Sequence, residues 1–226
     1  MGYMAEITED MKHATSDSET PLSSTIQVLP WWKNPLNIVL IVIAGLLASF
    51  GIGYLLGSQE SDLSHNSVDV GFLQDMRIHH EQASIMAMTY LEASPNGNTV
   101  QRMIAREILL TQSMETGRMI QMLRMFKESE ANQTDQVMGW MNEPTPIDRM
   151  PGYATDDQME QLQKSRDAEA DALFRDLMIA HHLGGIHMAE YAMENAKHPE
   201  VKKMAEAMLR EQSGEINELR SLADDA

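Results

Sequence analysis

The chain has 226 residues, with 17 Lys and Arg against 34 Asp and Glu, a formal net charge of −17 and no Cys. That charge repels a phosphate backbone, which argues against nucleic-acid binding, and the lack of thiols removes disulfides, thiolate metal sites and Cys nucleophiles together. The unusual count is Met, at 20; thioethers fill helical cores readily and become chemically informative only where they recur beside other soft or borderline ligands.

Residues 1–30 are polar and rich in Ser, Thr and acids without apolar periodicity, which reads as a disordered cytoplasmic tail. Residues 31–57 read as a transmembrane helix. From Pro35 to Gly57 the sequence runs PLNIVLIVIAGLLASFGIGYLLG, 23 uncharged residues, enough to cross the hydrocarbon core of a bilayer. Trp31, Trp32 and Tyr54 suit the two interfaces. A run that begins this far into the chain, and at this length, fits a retained anchor better than a cleaved signal peptide. Lys33 flanks one end while Gln59, Glu60 and Asp62 follow the other, so the expected topology is single-pass in the cell membrane, N-terminus inside and C-terminal domain outside.

Residues 58–226 have the periodicity of a helical bundle. A first repeat, about 65–130, contains two helical runs separated by the turn cluster Ser94-Pro95-Asn96-Gly97. Residues 131–155 hold Trp140, Pro144, Pro146, Pro151 and Gly152 and read as a connector, folded over the bundle by Trp140 and its Met neighbours. A second repeat, about 156–224, is helical from 156 to 197, interrupted at His198-Pro199, and helical again to about Leu222. Four helices in two tandem hairpins predict an all-α four-helix bundle.

The two halves are copies. FLQDMRIHHEQASIMA (72–87) aligns with FRDLMIAHHLGGIHMA (174–189) at an offset of 102, which pairs Phe72 with Phe174, Met76 with Met178, His79-His80 with His181-His182, and Met86 with Met188. The hairpin partners match at an offset of 100: Gln112 with Gln212 and Glu115 with Glu215. Neither half alone buries its apolar face, so the two are expected to pack about a pseudo-two-fold axis with both His pairs inward.

Residues three or four apart share a helix face, so Met76 neighbours His80 and Met178 neighbours His182, while Met86 and Met188 lie two turns beyond the His pairs. Imidazole with thioether suits Cu(I), and imidazole also accepts Cu(II), Zn and Ni. His79, His80, His181, His182, Met76, Met86, Met178 and Met188 are therefore the candidate metal ligands. His187, which replaces Ile85 of the first copy, is a further one at a poorer spacing. Glu115, Glu215, Gln112 and Gln212 are placed to receive the other ring N–H of a ligating His. The bland alternative is a buried hydrogen-bond network in which the same Glu and Gln satisfy the His with no metal. Gly184 and Gly185, each costing about 1 kcal/mol relative to Ala inside a helix, imply close helix approach or room for a ligand. Met103, Met119, Met122, Met204 and Met208 are assigned to the core.

MRIHHEQASIMA, MIAHHLGGIHMAEYA, the two Gln-Ser-x-Glu segments, Trp140, and Met150-Pro151-Gly152 together resemble the domain of unknown function 305 family, over roughly residues 65–222. The resemblance implies a ferritin-like four-helix fold in exported or membrane-anchored proteins, with copper binding in the few members given a role. Leu183-Gly184-Gly185 and His187 depart from the first copy, so the two sites need not be equivalent. A di-iron carboxylate bundle needs Glu-x-x-His on two helices, and no Glu stands three residues before any of the four paired His. No nucleophile or phosphate-loop motif is present either, so no catalysis and no organic cofactor are expected.

The expected function is thus a membrane-anchored extracytoplasmic copper-binding or copper-handling protein. The rival is an accessory or scaffold subunit of a membrane complex, such as a copper-containing respiratory oxidase, with the lipid bilayer and that complex as partners.

Overall fold

The computed structural model describes residues 30–57 and 63–224. The expected disordered tail, apart from Pro30, lies outside the described residues, as do Gln59, Glu60 and Asp62. The described chain falls into two units, each taken by itself.

The first is helix α1, Pro35–Gly57, entered through a 3-10 turn at Trp31–Lys33. Asn34 caps it by accepting from the Leu36 amide at 3.0 Å, and Asn37 Nδ2 donates to the Trp31 carbonyl at 2.9 Å. Pro35–Tyr54 has mean hydropathy 2.4, and none of its residues is buried. A helix apolar on all sides, 20 residues and so about 30 Å long, is long and apolar enough to cross a membrane.

The second unit is an all-α, ferritin-like four-helix bundle of two hairpins. Helix α2 (Ser67–Ala93) and helix α3 (Thr99–Phe126) form one; helix α5 (Asp167–Asn195) and helix α6 (Pro199–Asp224) form the other. Between them the connector carries a two-residue pair, β1 (Gln136–Val137) antiparallel to β2 (Thr145–Pro146), and the short helix α4 (Asp156–Lys164). Local chemistry sets the boundaries. Asn66 and Asp69 make a capping box at the start of α2, Asn98 caps α3, Lys127 in the left-handed region ends it, and Thr155 with Gln158 makes a second capping box on α4.

Helices α2 and α5 run antiparallel through the centre. Partners rise along one as they fall along the other: Asn66 Nδ2 donates to Asn195 O at 3.1 Å, His79 stacks on His181, Tyr90 stacks on Phe174 at 4.2 Å, and Ser94 Oγ lies 3.2 Å from Asp167 O. Two apolar clusters lie at either end of this axis. One gathers Phe72, Met76, Met119, Leu123, Met188, Met204 and Met208 with the connector's Met138 and Met141; the other gathers Met86, Tyr90, Ile104, Ile108, Phe174 and Met178.

The structure differs from the sequence expectation at two places. The helix expected over 156–197 is broken at Ser165-Arg166, where both residues turn extended and Asp167 takes φ 43°. Leu162 is fully buried in the second apolar cluster, so α4 lies on α2 rather than continuing the axis of α5. Met103, assigned to the core, is 60% exposed, whereas Met119, Met204 and Met208 are buried and Met122 partly so.

A pair of equivalent carboxylates ties the hairpins together. Asp69 accepts from the amides of Asn66, Lys197 and His198 at 2.7, 3.1 and 2.9 Å, so an α2 residue holds the α5–α6 turn. Asp171, its counterpart 102 residues on, accepts from Tyr90 Oη, Ser94 Oγ and the Asn98 amide at 2.7, 2.6 and 2.7 Å, so an α5 residue holds the α2–α3 turn. Asp171→Ala strands three donors, and urea denaturation should show a loss of about 2 kcal/mol. A change below about 0.5 kcal/mol would mean that water replaces the carboxylate without cost.

Candidate metal centre

Adjacent residues on a helix point about 100° apart, so each His-His pair addresses two directions at once. His79 and His181 turn toward each other across the α2–α5 contact, with ring centroids 3.6 Å apart and planes 28° from parallel, and His181 Nε2 donates to the His79 carbonyl at 3.0 Å. His80 and His182 turn instead toward their own hairpin mates. His80 Nε2 lies 2.9 Å from Glu115 Oε2 on α3, and His182 Nε2 lies 2.6 Å from Glu215 Oε2 on α6, the latter too far out of line for a well-formed hydrogen bond. All four imidazoles have no solvent exposure.

This layer is polar, dry and incompletely satisfied. Both ring nitrogens of His79 and of His182, Nδ1 of His80 and of His181, both amide atoms of Gln112, and Gln212 Oε1 have no hydrogen-bond partner. Burial drives the pKa of His79 and His181 well below the usual imidazole value, and the neighbouring histidines push in the same direction. Weakly opposing this are the Pro151 carbonyl, which faces His79, and the His79 carbonyl on His181. Both rings are therefore neutral at pH 7, each with a lone pair available.

The connector closes one side of the layer. Gln82 reads the Ala154 backbone from both ends, donating to its carbonyl and accepting from its amide, both at 2.7 Å. Gly152, at φ 77°, lies so close to α5 that a Cβ there would stand 2.4 Å from Ala180 O. A Cβ on Gly184 would stand 1.9 Å from Pro151 O, and one on Gly185 would stand 2.3 Å from Gln212 Oε1. The glycine pair thus serves close approach, of the connector at Gly184 and of α6 at Gly185.

The predicted residues divide clearly. His79, His80, His181 and His182 come together, with Glu115 and Glu215 against His80 and His182; Gln112 and Gln212 Oε1, expected to accept from the rings, bond to none of them. Met76 and Met188 lie in the apolar cluster on one side of the layer and Met86 and Met178 in the cluster on the other, all fully buried. His187 does not join them: it is on the surface, its Nε2 2.9 Å from Glu143 Oε2 of the connector, because its helix face points away from α2 and α6. Among the described residues, no three of the His, Asp and Glu side chains converge on a point that would hold a metal ion. Sequence reasoning missed Asp75 and Gln82, which fix the connector over the layer. Their signal was available, since a polar residue four before or three after His79 falls on the inward face.

Fold and site together define a ferritin-like bundle with a buried four-histidine layer in place of a carboxylate centre. The model of the family described as Domain of unknown function (DUF305) matches residues 69–223, and the chain belongs to that family. No curated protein matches it. Among solved structures, a DUF305 protein from Streptomyces coelicolor is 31% identical, with TM-score 0.65 over 70% of this chain and 93% of its own. A DUF305 fragment from Deinococcus radiodurans is 26% identical, with TM-score 0.61 over 72% of this chain and 99% of its own. CopM in its Cu(II)-bound form is 25% identical, with TM-score 0.54 over 70% of this chain and 96% of its own.

Proposed function

We propose that the protein is a membrane-anchored, extracytoplasmic metal-binding protein that takes copper at the buried histidine layer. The observation that carries this reading is the set of fully buried imidazoles whose ring nitrogens have no partner. Each unpaired buried polar atom costs about 1–3 kcal/mol, so a layer of them is retained at a substantial cost that a ligand would remove. Chemistry narrows the ligand. Imidazoles flanked by thioethers suit soft Cu(I), and a monovalent ion is cheaper to bury than a divalent one because the desolvation penalty grows with the square of the charge. The likeness to a Cu(II)-bound structure supports the copper reading. Since three side chains do not converge as they stand, rings must turn about χ2 or a Met must complete the set. Bound copper would supply the charge that the free lone pairs face; the chain supplies a buried imidazole cage with Glu115 and Glu215 against His80 and His182. His187 is an outlying donor with no part in the layer.

Met76→Leu with Met178→Leu removes two thioethers at nearly constant volume, so thermal unfolding of the apo protein should register less than about 1.5 kcal/mol. Competition against a Cu(I) chelator should nevertheless show at least a tenfold loss of affinity, equivalent to about 1.4 kcal/mol. His80→Ala and His182→Ala should weaken Cu(I), Cu(II) and Zn(II) alike. Unchanged Cu(I) affinity in the Met variant makes the sulfurs core filler; unchanged metal affinity in the His variants makes the layer purely structural.

One observation favours the second reading, an accessory subunit of a membrane complex. Val100, Met103, Leu110 and Met114 stand 52, 60, 72 and 62% exposed along one face of α3, an apolar row in helical register. For either reading the bundle lies outside the cell, and protease added to intact cells should remove a tag at Ala226 but spare one at Met1.

A further inference from the structure

We infer that His80, His181 and His182 are held as their Nε2–H tautomers, so that Nδ1 is the atom each offers to a soft monovalent cation such as Cu(I). The ligand half of this inference rests on the copper reading above; the tautomer half does not. A neutral imidazole carries one N–H and one lone pair, and whichever nitrogen faces an obligate acceptor must carry the hydrogen. His181 Nε2 faces the carbonyl oxygen of His79 at 3.0 Å, and a carbonyl can only accept. His80 Nε2 bonds a Glu115 carboxylate oxygen at 2.9 Å; His182 Nε2 lies 2.6 Å from one of Glu215, out of line for a hydrogen bond but too close for two lone pairs to face each other. In each ring the hydrogen is thereby fixed at the ε position and the lone pair at δ.

The other side of each ring agrees. Nδ1 of His80, of His181 and of His182 is buried with no donor near it, so all three lone pairs are open. The anchoring acceptors come from three different places, namely α3, α6 and the backbone of α2, so one structural accident does not account for the pattern. His79 is left out of this assignment: neither of its ring nitrogens has a hydrogen-bond partner, although the Pro151 carbonyl faces the ring. Because Nδ1 is the nitrogen nearer the helix backbone, ligation there would keep the ion between the helices rather than at the ring tips toward Glu115 and Glu215. Those carboxylates then act as positioning groups that hold the donor and raise its basicity.

The test is long-range 1H–15N correlation spectroscopy on the full chain in detergent micelles, first without metal and then with Cu(I) added under anaerobic conditions. Without metal, His80, His181 and His182 should each show a protonated Nε2 and an unprotonated Nδ1. With Cu(I), the Nδ1 resonances should shift while the Nε2 protons remain. A protonated Nδ1 in the metal-free protein overturns the inference whatever copper does. Cu(I) shifts at Nε2 overturn it while sustaining copper binding. The expected tautomers with no Cu(I) response at any His overturn the copper reading and the ligand half, and uphold the tautomer lock. Glu115→Ala removes one anchor: His80 alone should become a tautomer mixture, and Cu(I) affinity should fall about 10- to 100-fold. An unchanged His80 spectrum in that variant would show that Glu115 sets nothing.

Discussion

The metal-free bundle should lose stability steeply as the pH drops below about 6.5, at up to about 1.4 kcal/mol per pH unit for each of His79 and His181. Both rings are buried and neutral in the fold, with pKa values pushed well below 6.5, chiefly by desolvation and further by each other's neighbours. In the unfolded chain they titrate near 6.5, so below that pH the unfolded state binds more protons than the folded one, and stability rises with pH across the window. The stabilisation is complete above pH 6.5 and is eroded as the pH falls toward the depressed folded values. Among the carboxylates and the other histidines, three groups act in the opposite sense. Asp75 and Glu211 are raised by burial, but their windows start from ordinary carboxylate values and so lie lower in pH. His65 is raised, first by its bond to the Leu63 carbonyl and then by Glu128, so its contribution is present below 6.5 and fades as the pH climbs through its folded value. That pair is partly exposed and screened, so it is a small correction. Urea denaturation at pH 7, 6 and 5 measures the sum. A flat profile would mean that water or a proton reaches the layer in the folded state, and His79→Asn with His181→Asn should flatten it by design.

The repeat is what made the bundle legible. Segments that match at offsets of 102 and 100 require the two first helices to be equivalent, and inward His pairs follow from placing Met76 and His80 on one apolar face. The same periodicity located Glu115 and Glu215, which do meet His80 and His182. Three things were not legible. Ring orientation depends on which neighbour each imidazole finds across a helix interface, and nothing along the chain says that His181 bonds a backbone carbonyl rather than a side chain. The break between α4 and α5 was hidden because Ser165-Arg166 carries no Gly or Pro, and the turn is forced by burial of Leu162 from outside the segment. Gly184 and Gly185 were readable as a place of close approach, but that the connector supplies the approach at Gly184 needs the path of residues 131–155, which periodicity does not describe.

Asp75→Ala should cost about 3 kcal/mol or more, and the damage should be concentrated in the connector. The carboxylate is almost fully buried, and Oδ1 accepts from Asn132 Nδ2 at 2.6 Å while Oδ2 accepts from the Met138 amide at 2.6 Å and Trp140 Nε1 at 2.7 Å. Removing it strands three donors in a dry site, at about 1–3 kcal/mol each, less whatever relaxation recovers. Burial already raises the carboxyl's pKa against the opposing pull of those three bonds, so the charge is held at a cost. Asp75→Asn separates charge from hydrogen bonding. Its single oxygen can keep the Met138 and Trp140 donors, and its amide can donate to Asn132 Oδ1, which is buried without a partner and is brought round by one flip of that side chain. The Asn variant should therefore lose less than about 1 kcal/mol, since removal of the buried charge offsets part of the imperfect geometry. Urea denaturation of both variants, with hydrogen exchange followed at the Met138 amide, distinguishes the cases. Rapid exchange there in Asp75→Ala but not in Asp75→Asn would show that hydrogen bonds rather than charge hold the connector down. Equal losses in both variants would show that the charge itself, and not only its hydrogen bonds, holds Asn132, Met138 and Trp140 of the connector in place.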